Sequence, residues 1–88
     1  MPKILSVDKY VLVKFRGKRT TKFYAEKLIG QEEEEWKVSF LRKTRNDKFI
    51  WPKIEDISVI EDQDIELLLP EPKIDHWGQL SFDITFDV

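Results

Sequence analysis

Tyr10-Val-Leu-Val-Lys-Phe15, Lys22-Phe-Tyr-Ala-Glu-Lys-Leu-Ile29, Trp36-Lys-Val-Ser-Phe-Leu41 and Lys48-Phe-Ile-Trp51 follow one another with only hairpin-sized gaps between them. Each run is short, rich in β-branched and aromatic residues, and carries at least one ring. A chain that reverses every few residues forms antiparallel sheet, and five such strands can close a small barrel. Arg16-Gly-Lys-Arg-Thr20 supplies the first turn, with Gly17 expected to take a positive φ. Gly30 through Glu35 supplies the second, because four adjacent carboxylates belong in water. Lys43-Thr-Arg-Asn-Asp47 supplies the third, and Pro52 ends the fourth run because it has no N–H for a ladder.

Beyond Pro52 the pattern changes. Ile54-Glu-Asp-Ile57 suits a single helical turn, and Ser58-Val-Ile60 a short fifth strand. Asp62-Gln-Asp-Ile-Glu-Leu-Leu-Leu69 opens with N-cap chemistry and stops at Pro70, which predicts a short helix or helical turn with its leucines on the barrel. From Leu80 to Val88 the chain alternates strictly: Leu80, Phe82, Ile84, Phe86 and Val88 on one face, Ser81, Asp83, Thr85 and Asp87 on the other. This predicts a half-buried strand at 80–88, paired with the chain's own sheet, a second copy or another protein. A homodimer through Leu80, Phe82, Ile84 and Phe86 is one form of that pairing.

The 88 residues suit one small domain, and 41% hydrophobic content with six Phe, three Trp and two Tyr can fill one core. Period two places Val11, Val13, Leu28, Val38 and Ile50 in it. The absence of cysteine removes disulfides, thiol catalysis and the usual zinc sites, and fits an intracellular protein. The first thirty residues contain no apolar run of signal-peptide length, and nothing approaches a membrane span. The net charge of −2 conceals an uneven distribution, because residues 55–88 hold ten Asp or Glu against a single Lys.

Chemistry-bearing patterns are missing. His76 is the only histidine, the three glycines are scattered singly, and no nucleophile elbow is present. The sequence therefore predicts a protein that is not an enzyme and carries no metal and no cofactor. Aromatics near strand ends, Phe15, Tyr24 and Phe40, are expected to meet at the mouth of the barrel.

The motifs Phe23-Tyr-Ala-Glu-Lys-Leu28 and Trp36-Lys-Val-Ser-Phe40 resemble a Tudor-type, SH3-like barrel of the Royal superfamily. With Tyr10–Phe15, Phe40-Leu-Arg-Lys43, Phe49-Ile-Trp-Pro52 and Ile54-Glu-Asp-Ile57 added, the pattern is similar to a terminal domain of transposon-derived proteins in invertebrates. The resemblance implies an all-β fold: a Tudor-like barrel over residues 1–70, then an acidic extension over 71–88. It further implies a non-enzymatic, chromatin-associated module in the nucleus that docks a peptide or partner domain and reads a methylated residue. Carried over by position, its aromatic cage falls on Phe15, Tyr24 and Phe40, with Phe49 or Trp51 as a further wall and Glu26 or Asp47 as the acidic one. Where that family has Asp-Tyr-Gly after the third-strand Phe, this chain has Leu41-Arg-Lys43.

Two alternatives stand beside that reading. One is nucleic-acid binding, with Lys14, Arg16, Lys18, Arg19 and Lys22 at the first hairpin and Arg42, Lys43, Arg45 and Lys48 at the third loop as anion-binding groups. The other is an oligomerisation domain without a ligand of its own.

Overall fold

The computed structural model describes residues 5–44 and 47–83. The first sheet has five antiparallel strands: β1 (Tyr10–Arg16), β2 (Thr21–Glu32), β3 (Glu35–Phe40), β6 (Ile57–Glu61) and β7 (Ile65–Leu68), in the order β6-β3-β2-β1-β7. A second, smaller sheet comprises β4 (Arg42–Lys43), β5 (Phe49–Ile50), β9 (Leu80–Ser81) and β8 (Lys73–Ile74), in the order β4-β5-β9-β8. No ladder joins β6 to β7 among the described residues. In the same residues, no helix is long and apolar enough to cross a membrane.

β1 is buried on both faces, which is why it reads as an almost unbroken apolar run. Val11 and Val13 enter a cluster with Leu28, Trp36, Val38, Ile60 and Ile65. Every one of the five strands contributes to that cluster, so the sheet curls around it. Tyr10 and Leu12 face the other way, into a cluster with Ala25, Leu41, Phe49, Leu69 and Leu80. The second sheet covers that face, supplying Phe49 and Leu80, and Leu80 is 1% exposed. A long side chain buried to that degree stabilises by about 1.5–3 kcal/mol.

Several expectations are corrected. The segment 62–69 is helical only as a 3₁₀ turn at Asp62–Asp64. There Glu61 and Asp64 cap each other reciprocally, and the Trp36 indole Nε1 donates to Asp62 Oδ1 at 2.6 Å. From Ile65 the chain pairs with β1 (Val13 with Ile65, Val11 with Leu68), and the ladder overrides the local helical signal. Leu69 is buried there, but Leu67 is exposed.

Gly30 lies within β2 at an irregularity of the β2–β3 register, and the turn falls later, where Glu33 takes φ 53°. Gly17 keeps a negative φ; its N–H closes the first turn on the Thr20 carbonyl at 2.7 Å. The segment Ile54–Ile57 makes no helical turn: a bend at Lys53 and Ile54 leads through Glu55 and Asp56 into β6. Ile50 points outward, because β5 is only two residues long and its alternation sends Phe49 inward.

Of the strand expected at 80–88, the described residues reach only Asp83. β9 spans only Leu80–Ser81, pairing Leu80 with Phe49 and with Ile74. Phe82 packs by its ring against Tyr10 and Phe49 without a ladder, both centroids 5.6 Å away. Ile84 and Phe86 lie outside the described residues.

Candidate functional site

Alternation along β1, β2 and β3 brings Phe15, Tyr24 and Phe40 to the same face, at one end of the five-strand cluster. Their rings touch one another. Centroids lie 5.4 Å apart for Phe15–Tyr24, 5.9 Å for Phe15–Phe40 and 5.8 Å for Tyr24–Phe40, the first and last edge-on and the second stacked. Such pairs contribute about 0.5–1.5 kcal/mol each beyond the area they bury. Phe15 and Tyr24 are nevertheless each 36% exposed, so the trio caps the core and also faces solvent.

One step inward on the same face stands Glu26, opposite Val11 on β1 and Phe40 on β3. It is fully buried, and neither carboxylate oxygen has a hydrogen-bond partner among the described residues. Burial therefore pushes its pKa up to about 8, and the negative charges of Asp56 and Asp64 push in the same direction. Near neutral pH the group is mostly a neutral carboxylic acid.

In front of the rings lies a cleft of about 590 Å³, lined by Phe15, Tyr24 and Phe40 with Arg16, Lys22 and Asp56. A second depression of about 690 Å³ shares Tyr24, Phe40 and Asp56, and continues past Arg42 and Lys43 to Pro52. The shared residues make one continuous groove, with an aromatic shelf in the middle and charges of both signs along its walls.

Of the remaining residues singled out in the sequence, Phe49 lines the second depression together with Tyr24 and Phe40, although it is also buried in the cluster on the opposite face of the first sheet. Trp51 lies tilted beside Tyr10, centroids 6.5 Å apart, with Lys27 Nζ 6.0 Å from its ring. Asp47 forms an exposed ion pair with Lys43 at 3.5 Å. The acidic wall of the cleft is instead Asp56, which the sequence had placed in a helical turn.

Arg16, Lys18, Arg19 and Lys22 are exposed around the β1–β2 turn. Lys14 faces away from the trio, its Nζ 6.0 Å from the Phe23 ring. Arg42 and Lys43 are exposed on β4, and Arg45 lies outside the described residues. Lys48 forms an ion pair with Asp75 at 3.0 Å.

Among the described residues, no group of three or more His, Cys, Asp or Glu side chains is placed to hold a metal ion. No family model matches the chain, and no curated protein or solved structure matches it significantly.

Proposed function

We propose that the protein is a non-enzymatic docking module, an SH3-like barrel of Tudor type, that grips an extended peptide or a segment of a partner domain across the Tyr24–Phe40 shelf. The observation that carries this reading is the trio itself: three rings in mutual contact, two of them a third exposed, opening onto a groove. Rings left in water at a concave surface mark binding sites more often than core. Five antiparallel strands in the first sheet, a single 3₁₀ turn among the described residues and a cluster fed by all five strands support the barrel reading. The resemblance to Tudor-type domains brings with it a nuclear, chromatin-associated setting and a preference for methylated side chains.

The test is a nuclear magnetic resonance titration with extended peptides bearing lysine or trimethyl-lysine. Amide shifts are expected at Phe15, Tyr24, Phe40 and Asp56. Tyr24→Ala should weaken binding at least tenfold while costing only about 1 kcal/mol of stability, because the ring is partly solvated. Shifts confined to the β1–β2 turn, or none with any peptide, would overturn the reading.

A further inference from the structure

The basic hairpin is the feature that peptide docking leaves unused. Among the described residues, Arg16, Lys18, Arg19 and Lys22 are exposed and take part in no ion pair, although the chain holds seventeen Asp and Glu. Four cations within seven positions repel one another, with only water and salt to screen them. In their midst stands Thr20, exposed in the turn that joins β1 to β2.

The turn presents this hydroxyl. Residues 17–20 lie outside the β1–β2 ladder, whose last pair is Arg16 with Thr21. The Gly17 N–H closes them on the Thr20 carbonyl at 2.7 Å. A side chain at Gly17 would meet that carbonyl oxygen at 3.1 Å and the Thr20 Oγ1 at 3.9 Å, so glycine leaves the space beside the hydroxyl open. Thr20 also lines the rim of the aromatic cleft, together with Arg16 and Lys22. Thr44 is the contrast. It too follows two basic residues, Arg42 and Lys43, but it is half-buried and its N–H donates to the Lys48 carbonyl at 2.7 Å. Lys43, moreover, is already paired with Asp47.

We propose that Thr20 is a phosphorylation site, and that its phosphate switches off the positive lobe of the hairpin. A kinase that selects a hydroxyl by the cations preceding it meets Arg16, Lys18 and Arg19 on the N-terminal side. Such an enzyme holds its substrate extended, so the turn must open. Opening gives up the Gly17 bond and the Arg16–Thr21 end of the ladder, the fraying that hairpin tips undergo at little cost. Oγ1 attacks the γ-phosphorus of Mg-ATP, the bond to the β–γ bridging oxygen breaks, ADP leaves, and the hydroxyl proton passes to the kinase's base. The product carries a charge of about −1.5 to −2 and three acceptor oxygens. Arg16 and Lys22, at the same rim, are the donors that meet it, and roughly half of the lobe's charge is neutralised. This concerns the lobe and not the ring shelf, so it stands whether or not the shelf docks a peptide.

Incubation of the full chain with Mg-ATP and a purified kinase selective for upstream basic residues, read by mass spectrometry, tests this. One phosphoryl group is expected, on Thr20, with Thr44 unmodified, and Thr20→Val should take up none. Phosphorus-31 titration of the modified chain should have its midpoint below that of the free phosphopeptide 14–24, because the folded hairpin brings Arg16 and Lys22 to one rim. Affinity for a single-stranded oligonucleotide at 50 mM salt should fall about tenfold or more. Equal uptake at Thr44, uptake at Thr21 instead, or no uptake each overturns the proposal. So does a midpoint equal to the free peptide's, or an oligonucleotide affinity that modification leaves unchanged or that is absent beforehand.

Discussion

Glu26 ties the stability of the fold to pH. In the unfolded chain its carboxyl ionises near 4.5, whereas burial in the fold holds the proton to about 8. The folded form binds the proton more tightly, so this stabilising effect is complete below about pH 4.5 and declines as pH rises to about 8, then levels. At ~1.4 kcal/mol per pH unit the loss approaches ~4–5 kcal/mol. Urea unfolding at pH 5, 7 and 9 should show this slope. Glu26→Met should remove it and gain about 2–4 kcal/mol at pH 9, since an apolar residue of similar volume often outperforms an unpaired buried charge. Equal slopes in both proteins would mean that Glu26 titrates normally. Asp75 works in the opposite sense: hydrogen bonds from the Gln79 and Trp77 N–H groups and from Lys48 hold its carboxyl low, so its support is lost on acidification. Val38 has no titration to confuse the measurement. It is fully buried, so Val38→Ala should cost about 2–3 kcal/mol at any pH.

At the scale of elements, the second sheet acts as a cover: Phe49 of β5 and Leu80 of β9 close the face that Tyr10, Leu12 and Ala25 present away from the curled cluster. Leu80→Ala should therefore lower stability by about 2–4 kcal/mol. Ending the chain at Glu71 should destabilise a monomer and lower its urea m-value rather than convert a dimer to monomers. Sedimentation of both lengths checks this, and a dimer lost on truncation would return the C-terminal segment to an inter-chain role. The first three strands were legible because alternation runs unbroken through Val11–Val13 and Trp36–Val38–Phe40, and one face of the sheet is fully buried. The aromatic trio was legible for the same reason, since Phe15, Tyr24 and Phe40 keep step with that face. β7 was not, because Asp62 to Leu69 is locally a good helix start and only β1 makes it a strand. Asp56 escaped because irregular backbone ahead of β6 places it, and no period records such a stretch. Glu26 was visible as an acid beside Tyr24, but its complete burial depends on the ladders to Val11 and Phe40.

Across the whole molecule, the two ends of the charge distribution remain largely separate. Residues 1–54 hold fourteen Lys and Arg against seven Asp and Glu, while the remainder is acidic. Among the described residues, ion pairs that join these parts include Lys9 with Glu71 at 3.9 Å and Lys48 with Asp75 at 3.0 Å. Among the described residues, Arg16, Lys18, Arg19 and Lys22 take part in no ion pair, and two of them line the cleft. This positive lobe is the feature that favours a nucleic acid over a peptide, and salt separates the two. Neutralising four phosphates of a single strand gives a slope of about −3 in log K against log salt, at about −0.7 per phosphate. A peptide held mainly by ring contacts should lose less than about threefold in affinity between 50 and 200 mM salt, because most of its energy is not counterion release. A single-stranded oligonucleotide is expected to bind weakly, to be released at 200 mM salt, and to shift only residues 16–22, since the acidic third of the chain repels it beyond the hairpin. Arg16→Ala with Lys22→Ala should abolish that binding and change peptide affinity little. An oligonucleotide that shifts Tyr24 and Phe40, holds at 200 mM salt and loses its grip with Tyr24→Ala would mean that the rings stack bases, and would move the groove from a peptide to a nucleic-acid strand.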